Sequence, residues 1–380
     1  MEFYNKVLCF LDEHYYYDNE KEQYLSRSPT GNFLKAVGEK LGIRVDFLVP
    51  VKEGKMKKWT TKINEEENWV WRLPCWDSIL KYYLTLGKNY FTLKKMIQKV
   101  SQSYELFWIR LPSPFGLWLG MEMEKKGKKV IYHVTGEIRE AYKRYRLKPI
   151  LKPVAWYLGH KERRIKYSKG VVLGTGSKLS RLYNGVLFID SLIVNTYPPK
   201  EGILSTECKI LYVGRIVKSK GIFLLVEVIE EIREQYQVEL HIVGGGRDVR
   251  KLDEIIKGKD YIKFYGLISY GEELFKIYRK CDLLIMPTII SEGFPRVILE
   301  GWAHGLFVVS SKVGGVEGLG KDGWNLLFFE KGNKKELIEK IKLLIEKKEI
   351  QEKLKKGIKE VQKEITFHTT IEKIKKYFTK

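Results

Sequence analysis

Two glutamates bracket seven residues in the stretch Glu292-Gly-Phe-Pro-Arg-Val-Ile-Leu-Glu300. The residues before it, Cys281-Asp-Leu-Leu-Ile-Met-Pro-Thr-Ile-Ile-Ser, read as a buried strand running into a loop. Those after it, Gly301-Trp-Ala-His-Gly-Leu-Phe-Val-Val-Ser-Ser, read as a short helix stopped at Gly305 and a further apolar strand. Glu292 is therefore expected at the mouth of a parallel sheet, and Glu300 within the helix that follows. Pro295 suits the first helical turn, where its missing N–H costs nothing and its fixed φ favours the helix. The open N–H groups of that turn form an anion site at the sheet edge where open α/β folds bind ligands. A carboxylate beside an anion site fits a ligand with both phosphate and hydroxyls, as a nucleotide-sugar has.

A second constellation is Lys209-Ile-Leu-Tyr-Val-Gly-Arg-Ile-Val-Lys-Ser-Lys-Gly221. It reads as a strand, a tight turn at Gly214 and a basic entry to a helix, so Arg215 and Lys220 share one strand-to-helix loop. A guanidinium fork and a compact ammonium charge suit a diphosphate; the alternative is two solvated surface cations. His133, in Val130-Ile-Tyr-His-Val-Thr-Gly136, is expected at a strand end, either facing a cleft or satisfied within the core. Thr135 and Glu137 are candidates for a capping pair. Val243-Gly-Gly-Gly-Arg-Asp lacks the third glycine of a dinucleotide fingerprint, so NAD is not expected. With no Walker lysine, nucleophile elbow or H-E-x-x-H, and no Asp-x-Asp at a strand end, a metal-free mechanism without a cofactor is expected.

The elements that must position these groups alternate between strand and helix, which predicts parallel sheets covered by helices. Strands are expected at 6–12, 44–51, 104–111, 128–134, 170–175 and 186–190, with helices at 31–41, 77–100, 137–147 and 150–168. After the punctuation Asn195-Thr-Tyr-Pro-Pro-Lys-Glu-Gly, a second series places strands at 209–214, 239–243, 261–266, 282–287, 307–311 and 325–329. Its helices fall at 219–236, 248–257, 271–280, 296–304 and 334–346, before a lysine-rich helical tail. A length of 380 residues favours two domains. The expected division is a first domain at 1–195, a second at 196–360 and a C-terminal helix at 361–380.

A hydrophobic content of 44% supports packed cores, and a formal charge of +22 points to anionic lipid, nucleic acid or a phosphorylated substrate. An AT-rich genome or a hot environment would produce the same lysine excess. Cys9, Cys75, Cys208 and Cys281 show neither zinc nor disulfide spacing, which suits a reducing cytoplasm. A strand begins almost at once, so no signal peptide is expected, and the apolar run Leu106 to Met121 is broken by Arg110, Pro112 and Pro114. Aromatic residues and cations interleave from Tyr142 to Tyr167, notably Trp156, Tyr157, Lys161, Arg163, Arg164 and Lys166. Such a helix suits an anionic membrane surface or is simply a solvated face; Lys52, Lys55, Lys57, Lys58 and Trp59 would join it. No nucleic-acid signature accompanies the charge.

On these residues the second half resembles the nucleotide-sugar domain of the family-4 retaining glycosyltransferases of the GT-B fold. The matching positions are Gly214-Arg215, Lys220-Gly221, Val243-Gly-Gly-Gly246, Phe264-Tyr-Gly266, Glu292-Gly-Phe-Pro295, Glu300 and Val313-Gly-Gly315. The resemblance implies two facing Rossmann-like doubly wound domains, with a C-terminal helix crossing back to the first. It implies Arg215 and Lys220 on the donor diphosphate, Glu300 on the ribose and Glu292 on the sugar ring. Backbone N–H groups of Gly293, Phe294 and Arg296 would approach sugar and phosphate, and the loop holding Gly266 and Leu267 would border the base. His133 would contact the transferred sugar, and Gly31, in the reduced motif Ser28-Pro-Thr-Gly-Asn32, would serve the acceptor side. Gly301, Phe307 and Arg296 depart from the usual residues without removing a charged contact. The implied activity is retaining, metal-independent transfer, of a hexose in particular, from a nucleoside-diphosphate-sugar to a hydroxyl acceptor, lipid-linked or polysaccharide. It would take place in the cytoplasm, peripherally at the inner membrane face. The alternative is a catalytically silent member of the fold acting as a basic membrane- or nucleic-acid-binding module.

Overall fold

The computed structural model describes residues 2–56, 60–75, 79–142, 148–201, 204, 207–290, 294–313 and 315–380, with the backbone alone at 79–84, 86 and 148–151. The chain divides into two compact units, Met1–Asp190 with Ile371–Lys380, and Ser191–Thr370.

In the first unit the strands are β1 (Lys6–Phe10), β2 (Tyr15–Asp18), β3 (Gln23–Ser26), β4 (Arg44–Glu53), β5 (Thr61–Asn64), β6 (Val70–Leu73), β7 (Leu106–Leu111), β8 (Lys129–Val134), β9 (Val171–Thr175) and β10 (Val186–Phe188). They form one sheet in the order β10-β9-β8-β7-β1-β4-β2-β3-β5, with β6 also on β4. Strands from β10 to β4 run parallel and are apolar on both faces, because helices cover both. The apolar run from Leu106 divides into β7 and the helix Pro114–Lys125, whose first turn is capped by Ser113 accepting the Gly116 N–H at 3.2 Å. No helix among the described residues is long and apolar enough to cross a membrane.

Four strands, β2, β3, β5 and β6, lie where the sequence suggested none. β2, β3 and β5 carry Tyr, Asp, Gln, Lys and Asn rather than an apolar alternation, β6 is only the four residues Val-Trp-Arg-Leu, and cross-strand aromatic packing supports β2 and β3. The Tyr17 and Tyr24 rings lie 4.7 Å apart, with the Arg72 guanidinium 4.0 Å from the Tyr17 ring centre. Residues 371–380 complete this unit. Phe378 stacks on Trp108 at 5.9 Å, and its carbonyl accepts the Tyr4 N–H at 2.9 Å.

The second unit holds β11 (Glu207–Val213), β12 (Gln237–Val243), β13 (Ile262–Phe264), β14 (Leu283–Met286), β15 (Phe307–Ser311) and β16 (Leu327–Phe329). All are parallel, in the order β13-β12-β11-β14-β15-β16. The chain runs outward from β11 to β13, then returns to lay β14 against β11. The loops leaving β11 and β14 therefore part in opposite directions, which opens the crevice where such sheets take ligands.

Candidate active site

At that crevice, the loop after β11 is built before its charged side chains are placed. The Gly214 N–H donates to the Val243 carbonyl and the Ile216 N–H to the Gly245 carbonyl, each at 3.0 Å, while the Tyr212 hydroxyl holds the Arg215 carbonyl at 2.9 Å. A single 3₁₀ turn, Lys218–Lys220, then ends at Gly221 with φ +75°. A Cβ at this position would stand 1.9 Å from the Pro287 carbonyl oxygen, so only glycine lets this turn lie against the loop after β14. The Ile289 N–H donates to the Ser219 carbonyl at 3.1 Å and closes the same junction. Arg215 is exposed and Lys220 half-buried on this fixed loop.

Across the crevice the helix Arg296–Ala303 begins after Pro295, which is extended and sits one residue outside the helix rather than in its first turn. Pro295 at the cap position has no side-chain oxygen to offer that turn, and its carbonyl accepts the Ile298 N–H at 3.1 Å. Phe294 is buried against Trp302, whose indole donates to the Asn325 carbonyl at 2.7 Å and anchors the helix. Glu300 is only 9% exposed. Tyr278, from the helix Glu272–Lys280, donates to its Oε2 at 2.6 Å. Burial raises the Glu300 carboxyl above its ordinary value, opposed by the Tyr278 hydrogen bond and the Arg296 charge. His304 stacks on Tyr278 at 5.1 Å and its Nδ1 lies 2.8 Å from the Glu300 carbonyl; burial keeps it below its ordinary value. Tyr278 went unnoticed in the sequence, where it looks like one more apolar position beside Leu274 and Ile277.

The third wall is the loop after β13. The Gly266 carbonyl accepts the Gly244 N–H at 2.8 Å, which ties the loops after β12 and β13 together and leaves Leu267 half-exposed. Gly214, Arg215, Lys220, Gly266, Leu267, Phe294, Arg296 and Glu300 thus all belong to the ends of neighbouring strands or the helix behind them. Glu292 and Gly293 lie outside the described residues.

The first unit holds the other two expected residues. His133 on β8 is wholly buried: Nε2 lies 3.0 Å from Thr175 Oγ1, and the ring meets Trp108 and Phe188 edge-on at 5.5 and 5.0 Å. Gly31 belongs to the helix Thr30–Leu41, and a Cβ there would come 2.5 Å from Thr61 Cγ2 and 2.6 Å from the Tyr15 hydroxyl. Those two side chains cover its Cα. Thr135 and Glu137 do not act as a pair: Thr135 donates to the Leu111 carbonyl at 2.8 Å, while Glu137 binds Arg163 and Lys178.

The family model of the glycosyl transferases group 1 matches residues 194–361, which contain the whole crevice described above. An uncharacterized glycosyltransferase of Methanocaldococcus jannaschii is 31% identical over 170 residues, 44% of this chain and 47% of that protein. The capsular polysaccharide biosynthesis glycosyltransferase CapM of Staphylococcus aureus is 30% identical over 49% of each chain. The chain thus spans less than half the length of these relatives. Among solved structures, Anabaena HepE in complex with UDP-glucose superimposes with a TM-score of 0.68 over 98% of both chains at 17% identity, a likeness of fold. The chain therefore has the GT-B fold, and its residues 194–361 match the model of the glycosyl transferases group 1 family.

Proposed function

We propose that the protein transfers a sugar, a hexose in particular, from a nucleoside-diphosphate-sugar to a hydroxyl acceptor with retention of configuration. The observation that carries this reading is the pairing of Arg215 and Lys220, on one rigid loop, with the start of the helix Arg296–Ala303 across the switch point of a group 1 domain. UDP-glucose bound to a protein of the same fold supports a donor of that class. The bond from the sugar C1 to the diphosphate oxygen breaks, and the new bond to the acceptor oxygen forms on the same face. The acceptor proton passes to the departing phosphate oxygen, so neither a protein base nor a metal ion is required. Charge developing on the diphosphate is met by Arg215, Lys220 and the helix N-terminus. Glu292 contacts the sugar and Glu300 the ribose in this reading. Wholly buried His133 acts by positioning the end of β8, and Gly31 by seating its helix on the acceptor side. Thermal shift across nucleoside-diphosphate-sugars tests it: a donor at about 100 times its dissociation constant adds about 2.7 kcal/mol. No stabilisation by any donor, with no donor hydrolysis or transfer, would leave a silent basic binding module.

The same reading places the enzyme peripherally on the inner membrane face in the cytoplasm, acting on a lipid-linked acceptor. The helix Lys148–Arg163 and the 3₁₀ turn Arg164–Tyr167 expose Trp156 by 62%, Tyr157 by 54% and Tyr167 by 75%. Lys161 and Lys166 lie beside two of these rings, 5.5 Å from Tyr157 and 4.6 Å from Tyr167. Apolar rings among cations suit an anionic interface. Sedimentation with anionic vesicles at low salt, lost with neutral vesicles or high salt, is the expected result.

A further inference from the structure

A pocket of about 800 Å³ opens in the first unit between the short helix Ile138–Tyr142, the end of the helix Lys148–Arg163 and the helix Ser177–Leu182. Arg139, Arg163, Lys178 and Arg181 line it together with Glu137 and Glu140. Glu137 is already engaged, bound to Arg163 at 3.2 Å and to Lys178 at 3.3 Å. The cations therefore outnumber the carboxylates, and the surplus has room for a ligand.

Arg139 shows what kind. Its stem crosses Gly159, where a Cβ would come 2.4 Å from Arg139 Cγ, and its Nη2 donates to the Trp156 carbonyl at 3.4 Å. The guanidinium is thereby held in place: its Nε is buried against Gly159, and the end of the side chain lines the pocket. The outer nitrogens of a guanidinium fixed in this way offer a phosphate the paired, charge-assisted donors it accepts best. Beneath, Glu162 accepts the Ile138 N–H at 2.9 Å and the Tyr183 hydroxyl at 3.0 Å, which fixes the backbone next to Arg139. We propose that this pocket binds a phosphate group, with Arg139 as its fork and Lys178 and Arg181 as supporting charges.

The approach to the pocket bears on the source of that phosphate. Trp156, His160 and Arg163 fall at i, i+4 and i+7 on one stripe of their helix, and the Trp156 and His160 rings stack at 6.0 Å. The stripe runs from an exposed indole to a pocket-lining guanidinium, a path that suits either a lipid headgroup or a free phosphorylated molecule. The inference uses no residue of the donor crevice, so it stands or falls apart from the reading of Arg215 and Lys220.

The test uses the full chain with two probes, glycerol 3-phosphate in solution and vesicles of phosphatidylcholine with or without phosphatidic acid. Arg139→Gln and Arg181→Gln are compared with Arg164→Gln, an equal change of charge on the exposed turn outside the pocket. Loss of one generic cation weakens vesicle binding by about fivefold. Arg139→Gln should lose tenfold or more, and Arg181→Gln provides the same reading if Arg139→Gln fails to fold. Glycerol 3-phosphate binding that Arg139→Gln abolishes identifies a free phosphate source; pocket-dependent binding of phosphatidic acid vesicles alone identifies a headgroup. UDP affinity, the readout of the donor site, should be unchanged in all three variants. Equal losses in the pocket variants and Arg164→Gln, or no binding of either probe by the wild type, would overturn the proposal.

Discussion

The Tyr278 hydroxyl donates to Glu300 Oε2 at 2.6 Å, so the carboxylate assigned to the ribose is oriented by a buried phenol from the neighbouring helix. Tyr278→Phe removes that donor while keeping the ring. We expect a stability loss of about 1–3 kcal/mol, because the acceptor is a buried carboxyl. Binding of a nucleoside diphosphate should weaken in both Tyr278→Phe and Glu300→Gln, with KM raised more than kcat is lowered, since a ribose contact is made equally in ground and transition states. Calorimetry with UDP checks it; unchanged affinity in Glu300→Gln would remove Glu300 from the donor site.

Arg215 and Lys220 should divide from Glu300 in their kinetics. Arg215→Ala and Lys220→Ala are each expected to lower turnover by roughly two to three orders of magnitude, the scale of one lost charge-stabilising donor. Circular dichroism should show the fold retained, since Arg215 is exposed. Near-normal transfer by either variant would sink the diphosphate assignment.

Gly221 joins the two loops at the switch point, and its φ of +75° together with the Pro287 carbonyl forbids a side chain. Gly221→Ala should destabilise the second unit by more than about 2 kcal/mol through backbone strain and overlap. It should also impair donor binding, because the Lys220 turn has to move. Thermal unfolding with and without UDP measures both effects.

Glu162 supplies a pH signature. Burial raises its carboxyl to about 7, opposed by hydrogen bonds from Ile138 and Tyr183. A carboxyl raised on folding holds its proton more tightly in the native state than in the unfolded one. Its contribution to stability is thus complete below the ordinary carboxylate range and is lost as pH rises to about 7. Over that window stability should fall by an amount on the order of 2–3 kcal/mol. Glu162→Gln, which cannot ionise, should flatten this part of the profile of Tm against pH. An unchanged slope would mean that another group is responsible.

The second unit was readable because its strands are short apolar runs that end in glycine, proline or serine. β11, β12, β14 and β15 each fall within two residues of the expected span. The tyrosine-rich β2 and β3 were not, since their burial comes from partners distant in sequence, such as Arg72 over Tyr17. Arg215 and Lys220 were legible as a pair because one loop carries both. That Glu300 is nearly enclosed, and that Tyr278 orients it, depends on how the helices Glu272–Lys280 and Arg296–Ala303 pack, which no local spacing encodes. His133 illustrates the reverse case: its place at a strand end was clear, but the walls of Trp108 and Phe188 around it were not.

The stacking of Phe378 on Trp108 sets an order of events during synthesis. About 190 residues separate the last strand of the first unit, ending at Phe188, from this ring. At roughly 5–20 residues per second, the ribosome needs about 10–40 s to cover that distance. Throughout that interval the N-terminal sheet is present with Trp108 uncovered on one side, while the second unit is made and can fold in full. The half of the protein that leaves the ribosome first is consequently the half that is finished last.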